Sequence, residues 1–425
     1  MKKQMGKQST VTAVIGVDWG DSGKGRLIDD LAQNADIIAR YSGGSNTGHT
    51  IKNSKGKFAL HIMPSGIFNA NAICVIGRGV ALDLESLIED EFEQLKKAGV
   101  SWKNLVIEPE CTLTMPWHKL RDGLREKSRE DKIGTTGRGV GPTYADRTER
   151  VGLRLKDLIS KKFPQLLKTE LEYQNKTYGF KLNYQEVLKK FLNFAKIIKP
   201  YIGNTIDIIH MGIYNKKNIL FEGAQGWLLD IDGGTYPFVT SSNPGIVGIW
   251  RSFDLHPKYI NKIIGITKSY TTRVGSGPMP TKIEGPQRNI IIEKGQEIGT
   301  TSGRTRDPGW LDLVLLKYAV DVNQVNHLAI TKLDILSGFE KVQLCTGYKK
   351  NGKDTWYTSG DAQELEDVTA IYKTMPGWKE DISKVRDFKD LPKNAQNYIK
   401  EIENYTGVKV SFIGVGPKRE EVIYA

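Results

Sequence analysis

Val11-Thr12-Ala13-Val14-Ile15-Gly16-Val17-Asp18-Trp19-Gly20-Asp21-Ser22-Gly23-Lys24-Gly25 decides the fold of this 425-residue chain. Residues 11–17 form a short apolar run that ends at Asp18, which predicts a strand covered on both faces. Leu27, Ile28 and Leu31 then share one face of a predicted helix over residues 25–35. Between them lies a glycine-rich turn. A strand, such a turn and a helix N-terminus in that order aim backbone amides and the helix dipole at a phosphate. Lys24 adds a point charge. The turn is shorter than the standard phosphate loop and lacks a Ser or Thr after its lysine. Asp21 is the odd member, because a carboxylate repels phosphates unless it holds a cation or takes a proton. It is therefore a candidate Mg2+ ligand, general base, or both.

Outward from this stretch, short Val- and Ile-rich runs predict strands at residues 72–76, 105–107, 206–209, 219–221, 263–266, 328–331 and 408–413. Amphipathic segments lie between them. Residues 84–98 carry acidic side chains first and Lys96 and Lys97 last, as a helix dipole favours. Alternation of strand and helix predicts an α/β fold with a largely parallel central sheet and helices on both faces. Ligands of such sheets bind beyond the carboxyl ends of the strands, where the glycine-rich segments of this chain would converge. No linker or low-complexity tract divides the chain. The expected organisation is a flexible extension over residues 1–10 and one elaborated domain over 11–425.

The formal net charge is +12. Much of the excess is lysine in polar helical stretches, residues 156–168 and 189–199, which read as solvated faces. No nucleic-acid-binding signature accompanies it, so no nucleic-acid partner is expected. Three cysteines, Cys74, Cys111 and Cys345, argue against a disulfide framework and for a reducing compartment. No run of 18 apolar residues exists. A cytoplasmic protein without membrane contact is expected.

Further motifs carry chemistry. In residues 43–50, Gly-Gly-Ser-Asn-Thr-Gly-His-Thr, His49 stands among small polar residues and could donate a proton to an oxygen gaining charge. Residues 134–142, Gly-Thr-Thr-Gly-Arg-Gly-Val-Gly-Pro, suit a phosphate. Glu222-Gly223-Ala224-Gln225-Gly226 closes a strand and is followed by Thr240-Ser241-Ser242. Thr300-Thr301-Ser302-Gly303-Arg304-Thr305-Arg306 sets two arginines in a loop suited to a carboxylate or phosphate. Thr331-Lys332-Leu333-Asp334 ends another strand, where the Asp carboxylate could accept two N–H donors from a guanine edge. Gly414-Val415-Gly416-Pro417 closes the last predicted strand.

In this order and at these spacings, from about residue 11 to 420, the motifs resemble the adenylosuccinate synthetase family. The resemblance implies a P-loop-NTPase-like homodimer that joins IMP to L-aspartate while cleaving GTP, with Mg2+ as cofactor. Asp21 then matches the base that takes the purine N1 proton, His49 the acid assisting phosphoryl transfer to the 6-oxygen, and Gln225 a group at that oxygen. Lys24 completes the catalytic set, and Asp21 with Gly48 the metal site. Asn46, Thr136, Thr240, Val274 and Arg304 match positions around the purine nucleotide. Arg150 matches the arginine that reaches the nucleotide of the neighbouring subunit. Thr300, Thr301, Ser302, Arg304 and Arg306 match the aspartate loop. Gly20, Ser22, Gly23, Lys24, Gly25, Gly48, His49, Thr50, Arg306, Lys332, Asp334, Gly414, Gly416 and Pro417 match the GTP site. The chain departs from the pattern at Asp18, Ser22, Ser42, Thr305, Asp307, residues 244–250 and Gly414. Alternatives are the same chemistry on GMP or dGMP, with ATP as donor, as in a phage branch of the family, or a non-catalytic nucleotide-binding regulator.

Overall fold

The computed structural model describes residues 9–130, 132–299, 303–355 and 361–425. Nine of its strands form one sheet. In chain order these are β1 (Val11–Gly16), β2 (Ile37–Arg40), β3 (Ile73–Ile76), β4 (Leu105–Ile107), β5 (Ile219–Glu222), β6 (Lys262–Lys268), β7 (His327–Thr331), β8 (Val410–Gly414) and β9 (Val422–Tyr424). Their spatial order is β9-β8-β7-β6-β1-β5-β2-β3-β4. All neighbours run parallel except β8 and β9. β1 is thus the middle strand, and the turn that follows it lies at the centre of the carboxyl edge.

Alternation along each strand feeds two separate cores, because successive side chains leave a strand on opposite faces. Val11, Ala13 and Ile15 join one buried cluster with Ile37, Ala39, Ile219, Phe221, Leu328 and Ile330. Val14 joins the other with Ile38, Leu220, Ile264, Ile266 and Ala329. This is why the strands read as unbroken apolar runs: both faces are covered, as expected.

The structure corrects the expected boundaries in four places. Residues 206–209 are not a strand. They belong to the helix Thr205–Tyr214, whose N-cap Asn204 accepts the Asp207 amide at 3.1 Å. Its buried residues, Thr205, Ile209 and Gly212, follow a helical period. β2 and β9 were not expected: β2 has only Ile-Ile-Ala between Asp36 and Arg40, and β9 directly follows the charged stretch 418–421. The helix expected over 84–98 begins at Leu84, widens into a π-helical stretch over Ser86–Phe92, and continues as Glu93–Lys97. Finally, Ser9 and Thr10 already belong to the body: Asn261 donates to the Ser9 carbonyl at 3.1 Å, and the Thr10 amide donates to Asn218 at 3.0 Å. The remainder of the expected extension lies outside the described residues. All three cysteines are buried and free, and among the described residues no helix is long and apolar enough to cross a membrane.

Ile15 is fully buried in the middle strand. Ile15→Ala should cost about 2–5 kcal/mol from lost burial and the cavity left behind. A lowered denaturant midpoint at unchanged m-value would register it.

Candidate active site

The first helix, α1 (Lys24–Leu31), begins one turn after β1, with Gly23 as its left-handed N-cap. Asp21 also has positive φ, 56°, which a short polar side chain tolerates better than most. The turn is braced from within. The Asp18 carboxylate accepts the Ser22 hydroxyl at 2.6 and 2.7 Å, the Gly20 amide at 2.8 Å and the Thr267 hydroxyl at 3.2 Å. Burial pushes the Asp18 carboxyl up, against the pull of Lys24 and Ser22. Asp18 and Ser22, two of the departures noted above, are therefore direct partners. The turn is also braced from β5: Lys24 Nζ donates to the Gln225 carbonyl, and a side chain at Gly226 would run into the Asp18 carbonyl. Two glycine-rich loops from adjacent strands thus pack backbone to backbone.

His49 begins a short strand, His49–Asn53, beside the start of α1. A side chain added at Gly25 would lie 3.1 Å from the Thr50 carbonyl and 3.4 Å from His49 Cβ. The imidazole is buried, and its Nδ1 bonds the Glu222 carboxylate. Glu222, the last residue of β5, has no exposed surface. It also accepts the Ser65 amide at 2.7 Å and the Ser65 hydroxyl at 2.6 Å, and faces buried Arg40 at 3.9 Å. Burial alone would raise its carboxyl. His49, Arg40 and Ser65 outweigh that and hold it down to about 2. A carboxylate can only accept, so Nδ1 carries the proton. Burial, then Arg40, lowers the His49 pKa. Its Nε2 is buried without a hydrogen-bond partner among the described residues, so this nitrogen is the one free to meet a ligand. Reading the sequence missed Glu222 as a functional residue. Its signal was a carboxylate ending an apolar strand directly before a glycine-rich loop.

Gln225, at φ 54°, extends over the same edge. Its Nε2 donates to Thr240 Oγ1 at 3.3 Å, and Asn46 Nδ2 reaches the same oxygen at 3.5 Å. Asn46 Oδ1 is a second buried acceptor with no partner among the described residues. On the other side of β1, the Thr331 hydroxyl donates to the Ser22 carbonyl at 2.8 Å and joins the turn to the end of β7. Lys332 follows at φ 60°. Asp334 Oδ1 is a third unpartnered buried acceptor, and burial raises its carboxyl. Gly414 lies against Thr331 and Arg26. Asp21, Gln225 and Lys332, with Arg150, make up four of the nine non-glycine residues at positive φ among those described. Such strain gathers at functional sites.

Arg306 closes the front of the site. Its Nε donates to Asp21 Oδ2 at 2.7 Å and its Nη1 to Glu297 Oε2 at 3.0 Å. Burial alone would raise the Asp21 carboxyl, but Arg306, then Lys268 and Lys24, keep it below its usual range. Arg304 Nη2 donates to the Gly134 carbonyl at 2.7 Å and thereby joins two of the motifs. For a divalent cation, the turn offers the Asp21 carboxylate, more than a third exposed, and Gly48 directly precedes His49, which packs against Gly25 of α1. No cluster of three acidic, His or Cys side chains occurs among the described residues. One carboxylate supplemented by substrate phosphates is a usual donor set for Mg2+, so these residues fit that ion.

Not every expected residue is drawn into this cluster. Thr136, Arg150 and Pro417 are exposed, and Val274 is half-buried on the segment after Thr271–Arg273. The Arg150 guanidinium makes no hydrogen bond or ion pair among the described residues. Thr50 is exposed beside His49. Thr300, Thr301 and Ser302 lie outside the described residues.

A sheet of this order, with phosphate-type turns and unpartnered buried polar atoms at its carboxyl edge, defines a nucleotide-dependent α/β enzyme. The family model for adenylosuccinate synthetase matches residues 13–423. The adenylosuccinate synthetase of Acetivibrio thermocellus is 45% identical over 417 residues, covering 96% of this chain and 98% of its own. That of Thermoanaerobacter sp. is 43% identical over 419 residues, covering 96% and 98%. The fully ligated adenylosuccinate synthetase from Plasmodium falciparum superposes with a TM-score of 0.94 at 35% identity, covering 98% of this chain and all of its own. A cyanophage S-2L succinoaminodeoxyadenylate synthetase, bound to dGMP and dATP, superposes with a TM-score of 0.64 at 15% identity, a likeness of fold alone. This chain belongs to the adenylosuccinate synthetase family.

Glu222→Gln should destabilise the protein by about 3 kcal/mol at neutral pH, since a carboxyl held near 2 instead of 4.5 stabilises the fold by that order. The stabilisation is fully present above pH 4.5 and is lost as pH falls towards 2. Denaturant melts should therefore show the wild-type advantage shrinking below pH 4.5.

Proposed function

We propose that this enzyme, a ligase, joins L-aspartate to C6 of IMP, with GTP cleaved to GDP and phosphate. The observation that carries the reading is the whole-length match to adenylosuccinate synthetases at 43–45% identity, with the expected acid–base residues on one sheet edge. A hydroxyl-type oxygen at C6 is a poor leaving group, so the reaction is split. Asp21 takes the N1 proton as the γ-phosphoryl group passes to the 6-oxygen, and the aspartate amine then displaces phosphate. Such a transfer depends on positioning and charge neutralisation rather than covalent help.

The resting geometry supports roles for the residues gathered at the sheet edge, and likeness to the family supplies those of the rest. His49 acts as acid once Nε2 has taken up a proton with the incoming phosphates, donating from Nε2 to the transferred group, while the Glu222 carboxylate on Nδ1–H favours the charged ring. Lys24 and the amides of residues 20–25 take the phosphates, with Gly48 and Thr50 beside them. Gln225, Asn46 and Thr240 surround the purine nucleotide, with Thr136 and Val274 at its margin. Arg304, with Thr300, Thr301 and Ser302, takes the aspartate carboxylates. Asp334 has an acceptor to offer the guanine N–H groups, with Lys332, Gly414, Gly416 and Pro417 around it. Asp21 and Gly48 would hold Mg2+, which supplies positive charge against the phosphates. The ion pair with Arg306 makes Asp21 a weak base at rest, and an anionic substrate that draws Arg306 away strengthens it. The phage-type alternative is less supported, because that likeness extends to the fold alone.

Incubation with Mg2+, L-aspartate and each of IMP, dIMP, GMP and dGMP, against GTP, ATP and dATP, should yield the 6-succinyl product of IMP with GTP, read by mass. Product from dGMP but not IMP would replace this reading with the phage-type one. Asp21→Ala should abolish turnover, and near-normal kcat would refute its role as base.

Arg150, whose guanidinium has no partner among the described residues, is left-handed at the end of the helix Val140–Glu149, a position suited to reaching the neighbouring subunit of a dimer. Arg150→Leu should raise KM for IMP at least ~10-fold, as loss of a charge-assisted hydrogen bond does. An unchanged KM would refute the shared site.

A further inference from the structure

Glu297 belongs to none of the motifs, yet it has no exposed surface and lies between two halves of the site. It stands two residues past the helix Pro286–Gly295, and Gln296, at φ 48°, turns the chain so that the carboxylate enters the site. Four donors fill its two oxygens. Oε1 accepts Lys332 Nζ at 2.6 Å and the Tyr270 hydroxyl at 2.6 Å. Oε2 accepts Lys268 Nζ at 3.0 Å and Arg306 Nη1 at 3.0 Å. The Arg306 amide also donates to the Glu297 carbonyl, at 2.9 Å. Each oxygen thus serves a different part of the enzyme. Lys332 leads to Asp334 at the end of β7, and Arg306 leads through Nε to Asp21. The carboxylate is planar and fully subscribed, so a shift of Lys332 turns the plane against Arg306.

We infer that Glu297 is a positioning residue for the reaction: by dividing its carboxylate between Lys332 and Arg306, it ties the seating of the triphosphate's base to the orientation of Arg306 over Asp21. Charge balance alone does not account for the placement of Glu297. Lys268, Lys332 and Arg306 carry three positive charges against the two of Glu297 and Asp21, and a carboxylate elsewhere in the cluster would balance them as well. Only this placement lets one rigid group touch both halves.

The inference rests on the ligase reading, so wild-type turnover of IMP, L-aspartate and GTP is measured first. An inactive wild type overturns that reading and this inference with it, while an active one isolates the question to Glu297. In Glu297→Gln, KM for GTP and KM for aspartate should rise together, each ~10-fold or more, as kcat falls, because both arms lose a charge-assisted bond. The double variant Lys268→Met/Glu297→Gln removes one charge of each sign and restores the cluster's net charge. If Glu297 only balances charge, this variant recovers native melting and native kinetics, and the inference fails. If it positions, melting recovers and the paired KM rise remains. Glu297→Asp keeps the charge but withdraws it by one methylene, which covers the case in which the neutral variants do not fold. A paired KM rise in it supports the inference, and native KM values overturn it.

Discussion

The buried Glu222 carboxylate is the constraint on which the catalytic edge depends. It ends β5 beside the middle strand, in register with Arg40 at the end of β2. A lone carboxylate there would be costly, because burial in a medium of low polarity penalises charge. It is held by His49, Ser65 and Arg40, which come from three separate segments. Each of those segments is thereby fastened to the sheet, and the loop of residues 43–50 acquires a fixed address that its own flexible composition could not supply.

The remaining elements extend this arrangement sideways. Gly226 allows the β5 loop to pack against the β1 turn, and Thr331 carries the contact on to β7. Glu297 then bridges β7 to Arg306. Strands that are not adjacent in sequence therefore meet through side chains that hydrogen-bond to backbone carbonyls or buried carboxylates, while the apolar cores below contribute stability without specifying the site.

Much of this was legible in the sequence. Hydrophobic periodicity identified most of the sheet, because doubly covered parallel strands are strongly apolar. The glycine-rich motifs and their family resemblance located Asp21, Lys24, His49, Gln225 and Asp334. β2 was not legible, since its Ile-Ile-Ala is hemmed in by Asp36 and Arg40, and the burial of Arg40 that makes room for it is a tertiary fact. The 206–209 run was misread because its Asn204 cap and helical spacing outweigh the appearance of a β-rich run. Glu222, Glu297 and Lys268 were missed for a common reason. Their importance arises from burial and from partners that are mostly distant in sequence, 173 residues for Glu222 with His49 and 29 for Lys268 with Glu297, which no local pattern records.

The division of β1 between two cores has a bearing on how this chain can vary. Odd-numbered residues of the strand fill one interior and Val14 the other. Loss or gain of a single residue between Val11 and Gly20 would exchange the two sets and turn the following loop to the wrong side. The segment behaves like a reading frame. Its letters can change, as at Asp18 and Ser22, provided the new pair still closes on itself, but its count cannot. Insertions in this chain belong in its surface loops, and substitutions can reach the heart of the site.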